Sequence, residues 1–106
     1  VYPYDTWTWK SMDFRLGGPD FISLNDSLIV MGTRSHYTSF AKTVLLTSDG
    51  SEKFQEVYVL PSGGDTSYPG FVIEQDQLWV SYYSSHENKN SSIYIAKLPL
   101  SIFNSK

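Results

Sequence analysis

The chain has 106 residues, a net charge of −3 and no cysteine, with 41% hydrophobic and 16% aromatic residues. That is apolar matter for one small core, and it excludes disulfides, a thiolate nucleophile and a cysteine-bound zinc. The eight basic residues are scattered, so there is no footprint for nucleic acid or an anionic membrane surface, and no apolar run has the length to span a bilayer. No signal-peptide pattern follows Val1, and the expectation is an excised piece of a longer chain.

In chain order, "TWTWKSMDF" at 6–14 reads as an exposed strand. Apolar, β-branched and aromatic runs follow at 20–24, 27–32, 40–47, 54–60, 70–74, 77–83 and 92–98. They are separated by Asn-Asp, Ser-Asp-Gly, Pro-Ser-Gly-Gly and Asn-rich stretches. No segment sustains a helical period. In the loop before residue 70, Gly63 and Gly64 allow a tight turn, and Pro69 is expected to hold Tyr68 in extended or polyproline-like dihedrals.

An internal repeat organises these strands. Shifted by fifty positions, "GPDFISLNDSLIVMGTRSH" (18–36) falls on "YPGFVIEQDQLWVSYYSSH" (68–86), matching Pro19 with Pro69, Phe21 with Phe71, Leu28 with Leu78, Val30 with Val80 and His36 with His86. A period near fifty made of short strands marks propeller blades, each a four-stranded antiparallel sheet. The expected fold is therefore all-β: a β-propeller fragment of about two four-stranded antiparallel blades. Residues 1–16 would be an outer strand and linker from a neighbouring blade, 17–61 a complete blade and 62–106 most of a final one. Two blades alone leave apolar faces and sheet edges in water, so the partners expected are further blades or further copies of the chain, three copies closing a six-bladed ring.

Up-and-down strand order gathers the loops at 61–68, 33–39 and 83–90 on one end and the turns at 25–26, 75–76 and 47–54 on the other. The first end carries the candidate chemistry: Tyr68, Asp65, Arg34, Lys42, Tyr83 and the repeat-related His36 and His86. Trp7, Trp9, Trp79, Tyr82 and Tyr83 are candidate stacking surfaces for sugar rings, although the strand spacing of Trp79 favours a core position for it. The histidines have no third ligand at metal spacing, so neither a metal nor a cofactor is expected. Asn25-Asp26-Ser27 and Asn90-Ser91-Ser92 match the glycosylation triplet.

"TSDGSEKF" at 47–54 resembles a degenerate Asp-box, the Ser-x-Asp-x-Gly-x-Thr-Trp turn of sialidases and other BNR-repeat proteins, with Thr47, Asp49, Ser51, Lys53 and Phe54 on its defined positions. "GGDTSYPGFVIEQDQLWVSYYSS" at 63–85 resembles a late segment of the sialidase fold, and 17–100 as a whole resembles the C-terminal end of bacterial sialidase-like proteins. The resemblance implies a six-bladed propeller, a fold-stabilising role for the Asp-box, an extracellular or periplasmic location and exo-α-sialidase action on a sialoglycan or related acidic sugar. It makes Tyr68 the nucleophile, an exception to the two-carboxylate scheme of glycosidases. The third arginine that would hold the substrate carboxylate falls on Lys42, which lacks the bidentate fork, with Arg34 as the other cation and Asp65, Tyr83 and His86 as further substrate contacts. The alternative is a non-catalytic glycan-binding or assembly propeller.

Overall fold

The computed structural model describes residues 5–12, 14–36, 41–51 and 53–103. Two antiparallel meanders make up the fold. Strands β1 (Gly17–Asn25), β2 (Leu28–His36), β3 (Ala41–Ser48) and β4 (Gln55–Val59) form the first sheet in that order. Strands β5 (Thr66–Glu74), β6 (Gln77–Ser84) and β7 (Ser92–Pro99) form the second, followed by a single 3-10 turn at Leu100–Phe103. The architecture is all-β, and the two sheets do not close on themselves.

Seven of the eight expected strands are present. The eighth is not: residues 5–12 form no regular element, and Trp9 is 91% exposed. Alternating residues alone do not make a strand, because the ladder bonds and the covered face must come from a neighbour. Among the described residues the second sheet has three strands, with β7 at its edge.

The core lies between the sheets. Along β6, Leu78, Val80, Tyr82 and Ser84 are buried while Trp79, Ser81 and Tyr83 are only partly so, the period of two that a half-buried strand requires. Val30 and Leu45 of the first sheet, with Leu60 just beyond β4, meet Leu78, Val80, Tyr82 and Leu98 of the second, and Phe103 closes the same cluster. Each fully buried aliphatic side chain here contributes roughly 1.5–3 kcal/mol relative to an exposed one. The opposite face of the first sheet holds a smaller cluster of Met31, Val44 and Leu46 under Phe14 and Phe54. Trp79 takes no core position: it stands on the outward face of the second sheet, with the Lys97 ammonium 4.2 Å from its ring centre.

Turn chemistry sets the register of each hairpin. Gln75 and Asp76 have φ of 51° and 65°, the two left-handed residues of a type I′ turn, whose twist suits the strands it joins. In the first hairpin Asn25 Oδ1 instead accepts a hydrogen bond from the Ser27 amide, and the ladder shifts between Ser23 and Asn25. That extra residue has a large consequence. Phe21 faces Met31, but Phe71 faces Val80, although an offset of fifty would place it opposite Ser81. A slip of one residue moves side chains to the other face. Phe21 is therefore 65% exposed on an outward face, whereas Phe71 packs against the core.

Candidate functional site

Both meanders begin with the same irregularity. The ladder breaks between Gly17 and Asp20 and again between Ser67 and Gly70, leaving Gly18-Pro19 and Tyr68-Pro69 as bulges. Gly18 has φ of 56° and Tyr68 has φ of 57°. Pro69 thus does not hold Tyr68 extended: the bulge dictates a left-handed residue before the proline in both repeats. Glycine takes that conformation freely, whereas for a tyrosine it costs on the order of 1–3 kcal/mol.

Tyr68 is 64% exposed, so burial offsets little of that cost. It lies 5.8 Å from the Tyr83 ring, tilted by 35°, and against the backbone of Gly18, where a Cβ would come within 2.7 Å of ring carbons. The glycine in the first repeat therefore makes room for the aromatic ring in the second. Tyr83 pairs with Ser67 in the β5–β6 ladder and Arg34 with Gly17 in the β1–β2 ladder, so all four positions share one end of the sheets. Partial burial, together with hydrogen bonding to the Asp65 carboxylate, raises the Tyr83 phenol above its ordinary range, and the nearby Arg34 charge works the other way.

A set of buried hydroxyls holds this end together. Thr66 Oγ1 donates to the Tyr83 carbonyl at 2.8 Å, which leaves Thr43 Oγ1 to donate to Thr66 Oγ1 at 2.7 Å across the sheets. Ser67 Oγ donates to the Gly17 carbonyl at 3.2 Å, and the Gly17 amide donates to Thr33 Oγ1 at 2.9 Å. The 61–65 loop is clasped to the end of β6. Gly63 N donates to Ser84 Oγ, Asp65 N to Ser85 Oγ and Ser85 N to the Asp65 carbonyl. A Cβ on Gly63 would sit 2.5 Å from the Ser85 carbonyl carbon, so close backbone approach is what requires this glycine. These threonines and serines escaped the sequence reading. Their only signal was small hydroxyl residues at strand positions otherwise filled by apolar ones.

The expected site residues are partly brought together. Tyr68, Tyr83, Asp65 and Arg34 converge. Lys42 pairs with Ser35 at the same end but, two residues before Val44, belongs to the other face of the first sheet. His86 turns to Ser84, with Nδ1 2.9 Å from its Oγ, and to the Tyr94 ring at 4.4 Å, while Tyr94 donates to Glu87. The His36 side chain lies outside what the structure describes. Tyr82 cannot stack on a ligand, since it is buried and its hydroxyl donates to the Pro61 carbonyl. Among the described residues no group of three His, Asp or Glu could hold a metal ion, and no helix is long and apolar enough to cross a membrane.

The Asp-box-like segment sits at the opposite end, as a β3–β4 turn. Asp49 Oδ1 accepts from the Ser51 amide at 3.0 Å, and Ser48 Oγ accepts from Gly50 N and donates to the Ser51 carbonyl. Hydrogen bonding from the Ser51 hydroxyl, and after it from the Ser51 amide, holds the Asp49 carboxyl below its ordinary range. Thr47 stays in the ladder opposite Val30 and Gln55, and Phe54 meets Phe14 edge-on at 6.1 Å. No family model, no curated protein and no solved structure matches the chain.

Proposed function

We propose that the chain is part of a sialidase-like, bladed glycan-recognition protein and that the Tyr68–Tyr83 end binds an acidic sugar. The observation that carries this reading is a 64% exposed tyrosine in a left-handed conformation whose repeat partner is glycine. A position that glycine fills without strain holds an aromatic residue that gains little from packing, so the compensation is sought in a ligand. Two adjacent phenol rings, tilted by 35°, offer apolar surface suited to the C–H face of a pyranose. Arg34 supplies the fork that pairs with a carboxylate, and Asp65 accepts from hydroxyls. In this reading the two sheets are neighbouring blades, the protein acts on glycans outside the cytoplasm, and the degenerate Asp-box only shapes a turn.

Hydrolysis is the second reading, favoured by the exposed phenol standing on the same end as Arg34. Tyr68 would attack the anomeric carbon as the bond to the glycosidic oxygen breaks, an acid protonating that departing oxygen and water then releasing the sugar from the tyrosine; because a phenol titrates near 10, a neighbouring base would have to take its proton. The acid and the base partner would come from further blades. A neutral nucleophile suits a substrate that carries its own carboxylate beside the reacting carbon.

Retention on immobilised sialylated and neutral glycans tests the binding reading. Tyr68→Gly is expected to abolish retention while leaving the fold intact, and Tyr68→Phe to keep most of it because the ring remains. Undiminished retention of Tyr68→Gly would remove the aromatic platform from the argument. For hydrolysis, Tyr68→Phe is the informative change: turnover of an aryl sialoside should fall by orders of magnitude at an unchanged Tm.

A further inference from the structure

The register slip has a consequence for the surfaces of the two sheets. Ile22 stands opposite Val30 in the first sheet and Val72 opposite Trp79 in the second; Leu45 stands opposite Gly32 and Ile95 opposite Ser81. Aligned on their bulges and on these pairs, Ile22, Val30, Thr43 and Leu45 of the first sheet correspond to Val72, Trp79, Ile93 and Ile95 of the second. In the first sheet those positions face the other sheet, with Val30, Thr43 and Leu45 fully buried. In the second they face outward: Ile93 is 76% exposed and Ile95 57%. The reverse face behaves the same way. Phe21, Met31 and Val44 of the first sheet, on its outward side, correspond to Phe71, Val80 and Tyr94 of the second, which pack inward; of the first three Phe21 is exposed, while Met31 and Val44 are covered by Phe14 and Phe54.

The contact inside the chain is thus heterologous, joining one face of the repeat to its opposite face, and each end of the pair repeats the half that is missing at the other. We propose that copies of this chain stack head to tail, the outward face of the second sheet (Val72, Trp79, Ile93, Ile95) covering the outward face of the first sheet of the next copy at Phe21 and Ile29, beside the Phe14–Phe54 cover over Met31. The chain's own sheet-to-sheet interface is the template for the contact. Its apolar rows are what an inter-sheet core is made of, and free in water they form an exposed patch of the kind that marks an interface. A heterologous contact closes into a ring or runs on as a filament, according to the rotation between units.

Two single variants and their mixture test this. Phe21→Lys blocks the first-sheet face and Ile95→Lys the second-sheet face, and both side chains are already exposed, so strand-type circular dichroism should be retained. Sedimentation of the unaltered chain is expected to show a concentration-dependent species larger than one chain, and each variant alone should be cut to at most a dimer-free monomer. An equimolar mixture should recover a species of twice the chain mass, because each partner still has the face the other lacks. A monomeric unaltered chain at high micromolar concentration would overturn the proposal. So would a mixture that stays monomeric, or a Phe21→Lys chain that dimerises on its own, since that would make the contact isologous. If either lysine variant loses its circular dichroism signal, Phe21→Thr and Ile95→Thr carry the same mixing experiment.

Discussion

The two bulges share a backbone conformation and a proline but not their other side chains. Gly18 and Tyr68 share a φ within a degree, precede a proline, and open the first strand of their sheets. In the first sheet the position is conformationally cheap and chemically silent. In the second it is strained and presents a phenol to solvent beside Tyr83. Within a repeated fold, the place where one copy departs from the residue that the backbone prefers is where a role beyond folding is to be sought.

The comparison between the repeats breaks most visibly in their cores. Leu45→Ala should destabilise by about 2–5 kcal/mol because it empties a fully buried site between the sheets. Its counterpart Ile95→Ala should change stability by less than about 0.5–1 kcal/mol in dilute, monomeric protein, as a substitution at an exposed site does. Chemical denaturation of both variants measures the difference, and equal effects would mean that the two faces are not distinguished as described. Thr66→Val comes next. It removes the acceptor of Thr43 and the donor to the Tyr83 carbonyl in a buried setting, for roughly 1–3 kcal/mol, and it should also loosen the Tyr68–Tyr83 pair, read as a change in tyrosine near-ultraviolet dichroism.

The bulges themselves sharpen the contrast through opposite signs. Gly18→Ala should cost about 1–2 kcal/mol, since it strains a left-handed residue and pushes a methyl group toward the Tyr68 ring. Tyr68→Gly should stabilise by up to about 1 kcal/mol, because relief of the strained φ exceeds the added freedom of the unfolded chain. A destabilised Tyr68→Gly would show the ring to be a packing element after all. The smallest effect belongs to Asp49. Its lowered carboxyl pKa adds stability that is fully present above the ordinary value of 3.8 and is lost as the pH falls through the lowered one. Asp49→Asn should therefore melt slightly below the parent at pH 7 and together with it near pH 2, in paired thermal scans.

How much of this could be read in advance follows from the range of each interaction. Strand positions came out well because alternation and turn residues act over two to four neighbours: the 75–76 turn and the 47–54 turn stand where their Asn, Asp and Gly residues placed them. The repeat was legible too, as was the gathering of Tyr68, Tyr83, Asp65 and Arg34 at one end, which follows from strand direction alone. The stretch at 6–14 failed for want of a partner strand, a long-range condition that its alternation could not report. Lys42 was assigned to the site by the resemblance to sialidases, as the position of their third arginine, but the parity of β3 turns it to the other face, toward the side of Val44.

By itself, then, the order of residues determined an all-β chain, seven of the eight strands expected from it, its turns and the internal period, since these depend on local dihedral preferences and alternating polarity. Only the tertiary structure decided which face of each strand is buried, because one unpaired residue in the first hairpin reverses the relation between Phe21 and Phe71 without disturbing the sequence match. It also decided the left-handed backbone of Tyr68. A proline next in sequence argues for an extended residue, but the bulge needed at the start of β5 fixes the opposite hand through the ladder bonds on either side of it.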